Sequence, residues 1–151
     1  MIRSPFADSD VLFWTFADFT FDWEFWRDEQ GRFSYVSPAC VRISGYSADE
    51  FLADTDLYQR IVHPDDGSVV EAHILHEKKS SDEHCQLEHR IIHKGGSVRW
   101  IGHACQPVYS ATGRFLGVRC SNRDITGAVH DRDIPGERET VRAFCQRSAY
   151  T

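Results

Sequence analysis

Eight histidines and five cysteines hold most of the reactive chemistry open to this 151-residue chain. A metal ion needs donors that converge on bonds of about 2 Å. His89 and His93 lie on one face of a predicted strand, but at strand rise they are about 13 Å apart, too far for one ion. His73 and His76 suit a helix face better. No carboxylate or cysteine at ligand spacing completes a set with them, so no metal site is expected. Cys40, Cys85, Cys105, Cys120 and Cys145 give an odd count with no C-x-x-C pair, which reads as reduced, mostly buried thiols. Asp65 and Asp66 are adjacent at a predicted helix start, where side chains diverge. Helix capping suits them better than paired acid–base work. No Ser/His/acid set and no H-E-x-x-H helix has supporting context. The chain is therefore expected to carry no catalysis of its own.

The elements that hold these residues follow from local pattern. Ser4-Pro5 reads as a helix start, with Phe6, Leu12, Phe13, Trp14, Phe16 and Phe19 forming a dense apolar face. Phe21, Trp23 and Phe25 alternate with polar neighbours, and Asp28 to Gly31 forms a turn into a second strand, Arg32 to Val36. Short helices are predicted from Ser37-Pro38 to Gly45 and from the capping box Ser47 to Glu50. A longer helix follows His63-Pro64-Asp65-Asp66, with Val69, Val70 and Ile74 inward. Residues 84 to 126 then read as three strands joined by turns, ending at Asp124-Ile125-Thr126. Glu88 and Arg90 are expected to form an ion pair on the outer face. Beyond Gly127 the chain is charged, with a break at Pro135-Gly136 and a short helix expected within Glu137 to Arg147.

Composition narrows the classes. Hydrophobic residues make up 41% and aromatics 13%, enough for a packed core. Net charge is −6 and lysine is confined to Lys78, Lys79 and Lys94, which argues against a phosphate-binding surface and so against nucleic acid. No apolar run reaches the roughly 20 residues of a membrane span, and Pro5, Asp8 and Asp10 interrupt any secretory signal. No membrane contact and a cytoplasmic location are expected.

Read together, FDWEF (Phe21 to Phe25), GRFSYVSPA (Gly31 to Ala39), SGYSADEF (Ser44 to Phe51), IVHPDD (Ile61 to Asp66), LEHRI (Leu87 to Ile91), KGGSVRWI (Lys94 to Ile101), the pair Gly113 and Gly117, and RDIT (Arg123 to Thr126) resemble a PAS domain with its PAC portion. The likeness covers about residues 19 to 126. It implies an α+β fold: a five-stranded antiparallel sheet with short helices over one face and a pocket between them. The domain layout expected is an N-terminal amphipathic helix at 1–20, a PAS/PAC sensor domain at 21–126 and a linker or tail at 127–151. Such domains sit in histidine kinases and diguanylate cyclases, so the resemblance implies sensing, homodimerisation and relay to a downstream effector domain. Any kinase or cyclase activity would lie in a parent protein outside this chain. The alternative is a free-standing adaptor that binds another protein. Asp124 and Thr126 match the motif that joins such domains to their output, which implies a relay role.

Flavin and haem are not expected. Cys40 lies in SPACVRISGY, without the neighbours that grip a flavin phosphate in the light-sensing relatives. Alignment at Pro64 puts the haem-ligand position of oxygen sensors near Val70, one turn from His73. Strand parity groups Cys85, Leu87, His89 and Ile91 on one face of their strand, Ile101, His103 and Cys105 on one face of the next, and Val118, Cys120 and Asn122 on one face of the third. The resemblance puts Ile91, Ile101, His103 and Asn122 at pocket-lining positions. The expected site is therefore a small polar or acidic metabolite bound by His89, His103 and Asn122 against Ile43, Ile74 and Ile101. The homodimer is expected to form through residues 5 to 20 and the outer sheet face.

Overall fold

The computed structural model describes residues 9–77, 83–132 and 143–147. A leading helix α1 (Ser9–Asp18) precedes the hairpin β1 (Trp23–Arg27) and β2 (Phe33–Val36). Three short helices follow, α2 (Ala39–Ser44), α3 (Ala48–Ala53) and α4 (Leu57–Ile61). A single 3-10 turn at Pro64–Asp66 leads into α5 (Gly67–Glu77). The chain then runs through β3 (Glu83–Ile92), β4 (Val98–Tyr109) and β5 (Phe115–Asp124), and on to α6 (Thr126–Arg132) and β6 (Ala143–Arg147). Strand order is β2-β1-β5-β4-β3-β6, with every neighbouring pair antiparallel.

The five expected strands are all present, and β6 adds a sixth. Its residues belong to the stretch expected to be helical. The correction has a plain cause: β3 is ten residues long, and Glu83 to Leu87 would otherwise leave one row of amides and carbonyls without a ladder. Pairing with a distant strand outweighs a weak local helix pattern. The expected break at Pro135-Gly136 and helix start at Ser4-Pro5 lie outside the described residues.

Local signals in the first half hold. Gly31 at φ 82° closes the β1–β2 turn, and Gly45 at φ 80° ends α2 in the left-handed conformation. The capping box is complete: Glu50 N donates to Ser47 Oγ at 3.2 Å, and Ser47 N donates to Glu50 Oε2 at 2.8 Å.

The core lies between the concave sheet face and helices α2 to α5. Trp23, Phe25, Phe51, Ile43, Leu87, Ile91 and Ile101 are fully buried there. Trp23 sits within 4.8 to 5.7 Å of Phe51, Tyr58 and Phe25, ring centre to ring centre. On the far side, α1 leans on the β1–β2 hairpin. Tyr35 Oη donates to Asp18 at 3.0 Å and its ring lies 5.7 Å from Trp14.

Asp66 is not a helix cap. The cap of the 3-10 turn is His63, whose Nδ1 accepts from Asp65 N at 3.2 Å. Asp66, 1% exposed, instead receives Arg90 by both ends: Nε to Oδ2 at 2.9 Å and Nη2 to Oδ1 at 2.7 Å. The Arg90 amide also donates to Oδ2 at 2.8 Å, and the His63 amide donates to Arg90 O at 2.9 Å. The side chain expected to face Glu88 thus clamps the α4–α5 connection to the outer edge of β3. Its guanidinium also lies 5.3 Å from the Trp100 ring centre.

Candidate functional site

Parity on three adjacent strands builds the site. His89 on β3, His103 on β4 and Asn122 on β5 all project into the core, at 1%, 4% and 0% exposure. Their registers bring them together: His103 pairs with Asn122, and His89 with Ile101. The expected lining residues Ile43, Ile91 and Ile101 are buried in the same core, and Ile74 packs against it from α5.

Three polar side chains inside an apolar core must bond something, since each unpaired group costs about 1–3 kcal/mol. Here they bond one another through a fourth. Asn122 Oδ1 lies 2.7 Å from His103 Nδ1, Asn122 Nδ2 donates to Tyr58 Oη at 3.0 Å, and Tyr58 Oη lies 2.9 Å from His89 Nε2. The amide oxygen can only accept, so His103 Nδ1 carries a proton. The Tyr58 oxygen accepts from the amide and shares a hydrogen bond with His89 Nε2. The other ring nitrogen, His89 Nδ1, is buried and meets no hydrogen-bond partner. Burial, reinforced by His103, pushes the His89 pKa down to about 3, against the opposing pull of Asp66. His89 is therefore a neutral imidazole with one buried ring nitrogen, Nδ1, left without a hydrogen-bond partner.

Tyr58 escaped the sequence reading. It sits on a five-residue helix, α4, and its partners are 31 and 64 residues away. Periodicity marks it as an apolar helix position and carries no trace of the hydroxyl's role. Replacing Tyr58 by Phe removes the link while keeping the ring, and leaves His89 Nε2 and Asn122 Nδ2 unpaired. The expected loss is about 1–3 kcal/mol for each group in urea unfolding. A change below measurement error would mean that water already serves these atoms.

Above His103, toward α5, lies a second contact. His73 projects from α5, with Nε2 3.3 Å from Cys105 Sγ and its ring 5.1 Å from the His103 ring. Cys40, on α2, is a separate buried thiol that burial pushes up to about 12.

At the end of β5, Asp124 accepts from the Thr126 amide at 3.0 Å, from Thr126 Oγ1 at 2.5 Å and from Arg99 Nη1 at 3.0 Å. Thr126 Oγ1 in turn accepts from the Trp100 amide at 2.9 Å. The first residue of α6 is thereby fixed to both β5 and β4. Burial alone would raise the Asp124 carboxyl, but the bonds from Thr126 and Arg99 outweigh it and hold it below the usual range.

On the convex face, a hollow of about 540 Å³ is lined by Gln86, Glu88, Gly102, Ala104, Ser121 and Arg123. A second, of about 430 Å³, lies between α1 and β1, lined by Phe13, Phe16, Trp26, Tyr35 and Arg119 among others. Among the described residues, no helix is long and apolar enough to cross a membrane.

Known proteins share this fold. A 77-residue stretch is 30% identical to the methyl sulfide methyltransferase-associated sensor of Methanosarcina acetivorans, covering 50% of this chain and 8% of that protein. The N-terminal domain of a diguanylate cyclase with PAS/PAC sensor from Marinobacter aquaeolei superposes with a TM-score of 0.64 at 18% identity, over 72% of this chain and 99% of that one. A sensory box histidine kinase/response regulator from Burkholderia thailandensis gives a TM-score of 0.57 at 25% identity, over 83% and 91%. The PAS-fold family profile matches residues 33–122, which span β2 to β5. With the curved sheet, the helical roof and the Asp124–Thr126 junction in place, the chain belongs to the PAS-fold family.

Proposed function

We propose that this PAS sensor domain works as a homodimer that passes the state of its inner polar layer to an effector domain through Asp124 and Thr126. The observation that carries the dimer is α1. Phe13, Phe16 and Phe19 are 63%, 73% and 85% exposed, beside Val11 and Trp14 at 50% each. So large an apolar surface on one short element calls for a partner. The hollow of about 430 Å³ between α1 and β1 adjoins this surface. Histidine-kinase and diguanylate-cyclase relatives support an effector of that kind, and a cytoplasmic setting agrees with four buried free thiols.

The input in this reading is a small polar ligand at His89, His103 and Asn122. What supports it is the unmet Nδ1 of His89, which asks for a hydrogen-bond partner. Ile43, Ile74 and Ile101 would supply the apolar walls.

Sedimentation velocity at micromolar concentration tests the dimer. A dimer is expected for the natural sequence, and a monomer of unchanged circular dichroism when Phe16 and Phe19 are both replaced by Asp. A natural chain that stays monomeric at every concentration would overturn the proposal.

A further inference from the structure

We infer that His73, His103 and Cys105 form a binding site for a thiophilic late transition-metal ion of the zinc class. One donor atom from each of the three lies within 4.8 Å of the other two, and all three residues are buried. The His73 Nε2 to Cys105 Sγ distance of 3.3 Å is close to the edge of about 3.6 Å that a tetrahedral Zn–N and Zn–S pair defines.

The sequence hides this set because its members come from three places. His73 lies on α5, whereas His103 and Cys105 alternate along β4. The cysteine that no local spacing supplied to His73 arrives from the sheet.

Three features prepare the site. His103 Nδ1–H is held at 2.7 Å by Asn122 Oδ1, which fixes the ring and makes Nε2 the nitrogen with a lone pair. An outer bond of that kind on the second ring nitrogen is the usual companion of a metal-bound histidine. Next, the donor set contains two imidazoles, one thiol and no carboxylate, which selects against magnesium and calcium. Finally, the surroundings are soft. Cys85 and Cys120 sit directly opposite Cys105 on β3 and β5, and Cys145 holds the register position beyond Cys85 on β6. Four adjacent strands thus carry a cysteine in one cross-strand row.

An ion fits this space as it stands, with the inner polar side chains keeping their bonds to one another. A single ion needs only that the Cys105 thiol give up its proton to solvent as the metal–sulfur bond forms. No change of oxidation state is involved. The inference is independent of the dimer; it shares His103 with the ligand site proposed above, and the cobalt titration reads the metal whatever binds at His89.

The test is cobalt(II) titration of the full chain under reducing conditions, with zinc competition. Expected are a sulfur-to-cobalt charge-transfer band in the near ultraviolet and its loss on adding one equivalent of zinc. Cys105→Ser should abolish the band, and His73→Gln should weaken binding about 100-fold or more, beyond what an outer-shell change does. Cys40→Ser, which alters a thiol outside the cluster, should leave both unchanged. If the natural chain shows no such band, if Cys105→Ser keeps it, or if Cys40→Ser removes it, the assignment fails. Should Cys105→Ser not fold, the natural chain with the Cys40 and His73 variants still decides.

Discussion

Asp66→Asn is expected to cost about 3–5 kcal/mol of folding stability, a large part of what a domain of this size holds in reserve. The substitution keeps an acceptor for the Arg90 amide and nearly the same shape. It removes the charge. Arg90, with its side chain 13% exposed, would then lose its two-pronged carboxylate partner and keep the Asp65 carboxylate at 3.9 Å. Breaking such a pair from one side costs far more than the pair contributes over apolar replacements. The double variant Asp66→Asn with Arg90→Met should therefore recover part of the loss, since the buried charge goes too. Thermal unfolding followed by circular dichroism reads both, and the single variant should melt about 10 °C lower. A single-variant loss under about 1 kcal/mol would show that water reaches the guanidinium.

The same pair sets an acid limit. Burial works to raise the Asp66 carboxyl, but the bonds from Arg90 outweigh it and the net direction is down. Asp124 is depressed for a parallel reason. A carboxyl lower in the folded than in the unfolded chain contributes fully above the unfolded value, about 3.9, and loses its contribution as pH falls through the folded value. Stability should thus fall away below about pH 4, and Asp66→Asn should flatten that part of the profile.

Gly117→Ala is expected to be the most damaging small change in the sheet, at about 3 kcal/mol or more. Gly117 has φ 128°, and a Cβ there would lie 2.2 Å from Arg27 O and 2.7 Å from Trp26 Nε1. The obstacle is the backbone of the neighbouring strand, which cannot rotate aside as a side chain can. Two irregularities meet here: the β1–β2 register shifts at Trp26/Arg27, with Ser34 of β2 as the extra residue, and the β4–β5 register shifts at Val108/Tyr109, with Leu116 of β5, next to Gly117, as the extra residue. Gly113→Ala makes the control. Its φ is 84°, but nothing lies within 4 Å of the added carbon, so only the conformational cost of about 1–2 kcal/mol remains. Hydrogen exchange should show faster amides at Arg27 and Val118 for the Gly117 variant alone. Equal losses at the two glycines would remove the steric argument.

How far the sequence carried depends on the range of each interaction. Alternation grouped His89, His103, Asn122 and the inner cysteines of β3 to β5 correctly within their strands, because period two is a property of neighbouring residues, and the family resemblance said which group faces the pocket. Turn and cap residues were equally legible for the same reason. What alternation cannot give is who stands opposite. Tyr58 closes the hydrogen-bond chain from a helix with no signature. Asp66 looks like a cap until Arg90, 24 residues later, takes it. Cys105 meets His73 only once α5 is laid across β4. The segment at residues 143 to 147 has helical spacing and becomes a strand because β3 offers it a ladder.

That long border strand has a practical consequence. Its free rim is closed in two lengths: Glu83 to Leu87 by β6, and Arg90 and Ile91 by Val62, His63 and Asp66. A fragment cut after Arg132, close to the end of the recognisable family region, keeps the second closure and loses the first. It would present an unpaired, partly apolar ribbon that invites strand-to-strand association with other molecules. Clumping by such a shortened protein would report an uncovered rim, and would say nothing about how the complete chain assembles.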